Sequence, residues 1–151
     1  MGLTAMDKKQ LKELLSLHKK WLHNEPGGKR ADLRLACLRY MDLSGADLRQ
    51  ANLEMADLRD AYMSGADLEC ADLRGADLSF ADLTHTDMTY AIVEHAKLES
   101  ADLRGALLIY AKFTGASLKY ADLRGADTRG TVFDGADLTG MLRRDDDIKI
   151  R

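Results

Sequence analysis

A chain of 151 residues with 46% hydrophobic residues is long enough for one domain with a packed interior. Aromatic residues make up only 6% and proline occurs once, so that interior has to be filled by small aliphatic side chains. The formal charge of −3 argues against a general nucleic-acid binder, whose footprint is normally basic.

The charge is unevenly placed. Residues 1–30 carry seven Lys/Arg against three Asp/Glu, residues 31–140 carry 11 against 19, and residues 141–151 carry four against three. A basic leader therefore precedes an acidic body. Cys37 and Cys70 match neither a disulfide framework nor a metal spacing, and read as two free thiols of a reducing compartment.

The first element in chain order is a helix. Residues 5–23 are amphipathic, with Leu11, Leu14, Leu15, His18, Trp21 and Leu22 on or near one stripe. Thr4 is the expected N-cap, with Asp7 in the first turn. Pro26 and the two glycines after it end the helix. Residues 1–30 are expected to form a capping unit built on Leu14, His18, Trp21 and Leu22, with Trp21 as its main plug. His18 reads as a packed, hydrogen-bonded core histidine rather than a ligand. The leader lacks the apolar run of a secretory signal. Nothing in the chain approaches the roughly 20 apolar residues of a membrane span. Met6 stands where a myristoylation signal needs Ser or Thr. The expectation is a soluble, cytoplasmic protein.

From Ala31 to Gly140 the chain is one uninterrupted five-residue repeat. In blocks of five, the first position is Ala in 19 of 22, with Met41, Thr86 and Thr131 as exceptions. The second is Asp in 13, the third is Leu in 16 and the fifth is Gly in nine. Met63, Met88, Val93, Phe113, Thr128 and Phe133 replace the Leu. A period of five suits neither regular element. On a helix five residues advance about 500°, so the Leu positions would spiral around the axis. On a strand five residues reverse the side-chain face. A repeat that always buries its Leu needs a turn in every block. Ala and Leu, two apart, then face inward, while Asp and the fourth residue face outward. The fifth residue takes the corner, where Gly adopts positive φ cheaply.

The run Ala71-Asp72-Leu73-Arg74-Gly75-Ala76-Asp77-Leu78 resembles the consensus of the pentapeptide-repeat family, Ala-(Asp/Asn)-Leu-x-x. The segment His18-Lys19-Lys20-Trp21-Leu22, followed by Gly28 and then Arg30-Ala31-Asp32-Leu33, is similar to the prologue of bacterial members. The resemblance implies an all-β solenoid. It would be a right-handed quadrilateral β-helix with four blocks per coil, hence about 5.5 coils over residues 31–140, with an N-terminal α-helical cap. Some members of the family dimerise through phenylalanine-rich C-terminal coils. Phe133 lies 20 residues after Phe113, and Ile148 and Ile150 alternate like a short strand in the tail of residues 141–151. Phe133, Ile148 and Ile150 are therefore the candidate end for a homodimer.

No catalytic, cofactor-binding or metal-binding constellation is present. The aspartates recur as an outward ladder, the glycines mark corners rather than a phosphate loop, and the histidines form no cluster. The chain reads as a non-enzyme. Its one irregular surface is apolar. Ile92 and Leu107 replace the usual Asp, Ile109 replaces a polar residue, and Tyr90 and Tyr110 are 20 residues apart at one corner beside them. Contiguous exposed apolar surface marks partner sites. The expected function is a protein-interaction or structural scaffold that binds no nucleic acid directly and no membrane. The alternative follows from the resemblance: members that mimic DNA bind and protect DNA gyrase, a topoisomerase. Two acidic faces, with Asp42, Asp47, Asp67, Asp82, Asp87, Asp102 and Asp122, bear on that reading, but 11 cations dilute the acidity of the repeat region and no loop is inserted between coils, both departures from such members. The aspartates have a second explanation, as caps of turns through backbone hydrogen bonds.

Overall fold

In the computed structural model, which describes residues 4–143, each pentapeptide makes one short extended step and one turn. The second residue of each block bridges in parallel to the residue 20 positions later: Asp32 to Asn52, Asn52 to Asp72, Asp72 to Ile92, and on to Lys112 and Val132. One coil is therefore four blocks, and the blocks stack into a β-solenoid. Three bonds recur between coils. Leu73 N–H donates to the Ile92 carbonyl at 2.7 Å, Ile92 N–H donates to the Ala71 carbonyl at 2.9 Å, and the corner residue Gly75 donates its N–H to the Glu94 carbonyl at 2.9 Å. A fourth closes the turn within the chain, as where Ala76 N–H donates to the Leu73 carbonyl at 3.0 Å.

The interior is made of columns 20 residues apart. Ala51, Ala71, Ala91 and Ala111 are 0% exposed, as are Leu53, Leu73, Val93 and Phe113. The exceptions to Ala have local reasons. Thr86 is buried and its Oγ1 donates to the Leu83 carbonyl at 2.8 Å, so its hydroxyl is satisfied inside the rod. Met41, in the first coil, and Met141, past the last full block, share one column and are only partly buried. The ladder also runs beyond residue 140, because Leu142 bridges to Asp122.

The corner conformation does not depend on glycine. Tyr40 (φ 58°), Phe80 (62°) and Tyr110 (56°) are left-handed like Gly45 (64°) and Gly105 (68°). Left-handed geometry costs a non-glycine residue on the order of 1–2 kcal/mol. The hydrogen-bonded turn and the coils on either side hold it in place.

The entry to the solenoid differs from the expectation in two places. The helix α1 spans Lys8–Leu22, and its N-cap is Asp7, not Thr4. Asp7 Oδ1 accepts from Gln10 N–H at 2.8 Å and Gln10 Oε1 accepts from Asp7 N–H at 2.9 Å, a reciprocal capping box. Thr4 is committed elsewhere. The strand β1, Thr4–Ala5, pairs in parallel with β2, Ala36–Cys37. The second difference is the plug. Leu11 (5%) and His18 (0%) are the buried residues of α1, whereas Trp21 and Leu22 are half-buried. Leu14 and Leu15 pack against the core cluster that Leu11 joins. The turn after α1 needs Gly28: a Cβ there would fall 2.4 Å from the Trp21 backbone nitrogen.

Candidate interaction surfaces

The second-position aspartates are held locally. Asp42 Oδ1 accepts the N–H of Ser44 at 3.0 Å, Asp87 that of Thr89 at 2.9 Å and Asp102 that of Arg104 at 3.1 Å. The residue caps its own turn, as Asn52 does for Glu54. Where the fourth residue is Arg, the guanidinium folds back as well. Seven such pairs (Asp32–Arg34, Asp47–Arg49, Asp57–Arg59, Asp72–Arg74, Asp102–Arg104, Asp122–Arg124 and Asp127–Arg129) use both Nε and Nη2 of the arginine, and so neutralise much of the acidic ladder in place. Hydrogen bonds from Arg104 and Arg124 hold the Asp102 and Asp122 carboxyls below the usual 3.8. Asp67 is followed by Glu69 instead and is shifted up, by burial and then by Asp87.

Corner side chains lean along the rod toward the next coil. A Cβ added at Gly130 would meet the Tyr110 ring at 2.4 Å, one at Gly140 the Tyr120 ring at 2.5 Å, and one at Gly105 the His85 ring at 2.6 Å. At these corners the bulky side chain lies over a corner 20 residues on that is either a glycine or a second ring that stacks. Tyr90 and Tyr110 take the second course, with ring centroids 5.3 Å apart and planes 9° from parallel. Both rings remain 54% exposed.

The structure brings the apolar departures to this one corner. Tyr90 N–H donates to the Ile109 carbonyl at 2.9 Å. Leu107 is exposed and belongs to the block that ends at Tyr110. Ile92 lies two residues past Tyr90 on the adjoining face, where it bridges Asp72 and Lys112. Ile92 and Ile109 are half-buried. A second corner column also carries exposed aromatic side chains. Tyr40 (60%), Phe80 (62%) and Tyr120 (63%) project from another corner column, with Asp60 and Ser100 between them. Their spacing of two coils was visible as a 40-residue lag.

At the C-terminal end Phe133 stacks on Phe113 at 5.5 Å and is half-buried, whereas Phe113 is fully enclosed. Ile148 and Ile150 lie outside the described residues. Cys37 and Cys70 are free thiols, and burial pushes Cys70 up. Among the described residues no group of His, Cys, Asp and Glu could hold a metal ion, and no helix is long and apolar enough to cross a membrane.

The family model for pentapeptide repeats matches eight copies, over residues 29–65, 66–105 and 111–141. The chain belongs to the pentapeptide-repeat family. Its repeats form the solenoid scaffold of that family. A pentapeptide repeat protein from the cyanobacterium Cyanothece is similar at 36% identity and a TM-score of 0.58, over 59% of this chain and 60% of that one. A pentapeptide repeat protein from the thylakoid lumen of Arabidopsis thaliana is similar at 33% identity and a TM-score of 0.56, over 61% of each chain. The matched part is thus about three fifths of either solved structure. QnrB1, a plasmid-mediated fluoroquinolone resistance protein, aligns at 22% identity with a TM-score of 0.40, too distant to carry an argument about function. No curated protein sequence matches the chain.

Proposed function

We propose that this pentapeptide-repeat chain is a non-catalytic scaffold that docks a protein partner at the corner formed by Tyr90, Ile92, Leu107, Ile109 and Tyr110. The observation that carries this reading is the stacked, half-exposed Tyr90–Tyr110 pair, flanked by aliphatic side chains where most blocks place Asp or a polar residue. A rigid aromatic pair ordered before binding loses little entropy on contact, and tyrosine is enriched at the energetic centres of interfaces. The scaffold is read as a right-handed quadrilateral helix of about 5.5 coils, with α1 as a lid on its first coil through Leu11, Leu14, His18, Trp21 and Leu22. Its C-terminal end, with Phe133 and the tail that holds Ile148 and Ile150, is the proposed contact for a homodimer. The free thiols favour the cytoplasm.

The seven aspartate–arginine forks weigh against the gyrase-binding, DNA-mimic alternative. A mimic of the phosphate backbone needs acids whose charge reaches outward uncompensated.

The test is capture of binding proteins from a lysate by the wild-type chain and by Ile109→Ser/Tyr110→Ser. The expected outcome is a partner retained by the wild type and lost by the double variant. Equal capture by both overturns the patch assignment. A change in gyrase supercoiling on adding the wild-type chain would move the reading to the DNA mimic.

A further inference from the structure

The segment that enters the solenoid is anchored by one buried polar contact. His18 is 0% exposed, and its Nδ1 accepts the backbone N–H of Ala31 at 3.0 Å. Nδ1 must therefore present a lone pair, which places the ring proton on Nε2. Nε2 is enclosed and meets no partner at hydrogen-bond geometry. Trp21 stacks on the ring at a centroid distance of 5.6 Å, 13° from parallel.

A second proton would go to Nδ1, the atom that faces Ala31 N–H. Two donors would then point at each other, and Ala31 N–H would lose its acceptor in a buried place. The surroundings do not offset this. Asp47 favours the cation, while Arg30 and Arg49 oppose it. The Asp47 carboxylate is already gripped by Arg49 through Nε at 2.9 Å and Nη2 at 2.7 Å.

We propose that His18 is an acid-sensitive latch: uptake of a proton from solvent at Nδ1 releases α1 from the first coil and uncovers that coil's strand edge. The latch rests on the reading of α1 as a lid. Burial, the largest influence, pulls the His18 pKa below its ordinary 6.5; the backbone of Arg49 and the charge of Asp47 act the other way. A folded-state pKa below the unfolded one means that the docked form binds fewer protons. Docking is therefore complete above 6.5 and weakens as pH falls below it, by up to about tenfold per pH unit, until the depressed folded value is passed. The fork-held aspartates are shifted below 3.8. Their contribution survives this window, so the coils stay stacked while α1 leaves.

Trp21, the only tryptophan of the chain, reports on the ring directly. The full chain is followed from pH 7.5 to about pH 4.5 by Trp21 emission and by amide exchange, beside His18→Gln. Glutamine is neutral, can accept and donate, and does not titrate in this range. The expected result is a reversible red shift of Trp21 together with loss of Ala31 protection below pH 6.5 in the wild type, with Ala76 and Ala96 unchanged and His18→Gln flat. A flat wild type, or a His18→Gln variant that follows the wild type, overturns the latch. Should His18→Gln fail to fold, the wild-type ring resonances decide: titration in step with Ala31 exchange supports the latch, and titration with Ala31 still protected overturns it. Leu11→Ala at pH 7.5 tests the lid on its own. If Ala31 stays protected there, the lid reading fails whatever His18 does.

Discussion

In the body of the solenoid, Leu73 N–H meets the Ile92 carbonyl and Ile92 N–H meets the Ala71 carbonyl, and the same pair of bonds recurs coil after coil. The entry segment repeats nothing. It holds the first coil through two paired residues of β1, the imidazole of His18, the Leu11 side chain and the Arg30 Nε bond to the Gln50 carbonyl at 2.6 Å. The body is redundant, because each coil is supported by two neighbours that resemble it. The entry has no second copy of any contact. A defect in the body should thus weaken a stack that remains cooperative, while a defect at the entry should loosen one end and leave the rest in place.

The largest expected effect comes from Leu73→Ala. The residue is 0% exposed in the middle of a column, and truncation should cost about 2–5 kcal/mol. Equilibrium denaturation should show the whole stack losing stability, with protection falling at Ala56 and Ala96 as well as at Ala76. Leu11→Ala should come next, at about 2–3 kcal/mol locally. Exchange should rise at Ala31 and Cys37, with almost no change in the denaturation midpoint. If Leu11→Ala instead lowers the midpoint as far as Leu73→Ala, the entry is part of the cooperative unit and the contrast between the two regions collapses.

The smallest effect separates backbone from ring. Gly45→Ala adds a Cβ with nothing within 4 Å, so it should register only the left-handed strain of a residue at φ +64°, about 1 kcal/mol. Gly130→Ala, at φ +70°, meets the Tyr110 ring as well. It should cost more than Gly45→Ala and alter the near-ultraviolet dichroism of the tyrosine pair. Equal costs and an unchanged spectrum would show that the ring does not rest on that corner.

The interior was legible from the sequence because Ala and Leu answer to a period of five, and burial follows from spacing alone. The stacking of Tyr90 on Tyr110 was legible for a related reason, since the two are 20 apart. The leaning corners were not foreseen, although the signal is present: Met55 precedes Gly75, His85 precedes Gly105, His95 precedes Gly115 and Tyr120 precedes Gly140, each by 20 residues. A search at lag five averages that signal away. The strand Thr4–Ala5 had no signal to find, because two residues are too few for a pattern and their partner is set only once the first coil exists. Capping propensity favoured Thr4 and Asp7 alike. Gln10, three residues after Asp7, was the available clue to the reciprocal cap.

The solenoid carries two rulers of different length. Its core reads the chain in units of five and its surface in units of 20. Excising residues 56–75 would rejoin like with like in every column, inside and out. Excising residues 71–75 alone would leave the interior equally content, but everything downstream would turn by a quarter of a coil relative to α1. The tyrosine corner would then face a new direction, and Tyr90 would follow Gly65 in its column rather than Cys70. Small gains and losses of repeat units can therefore redirect this surface without disturbing the interior that supports it.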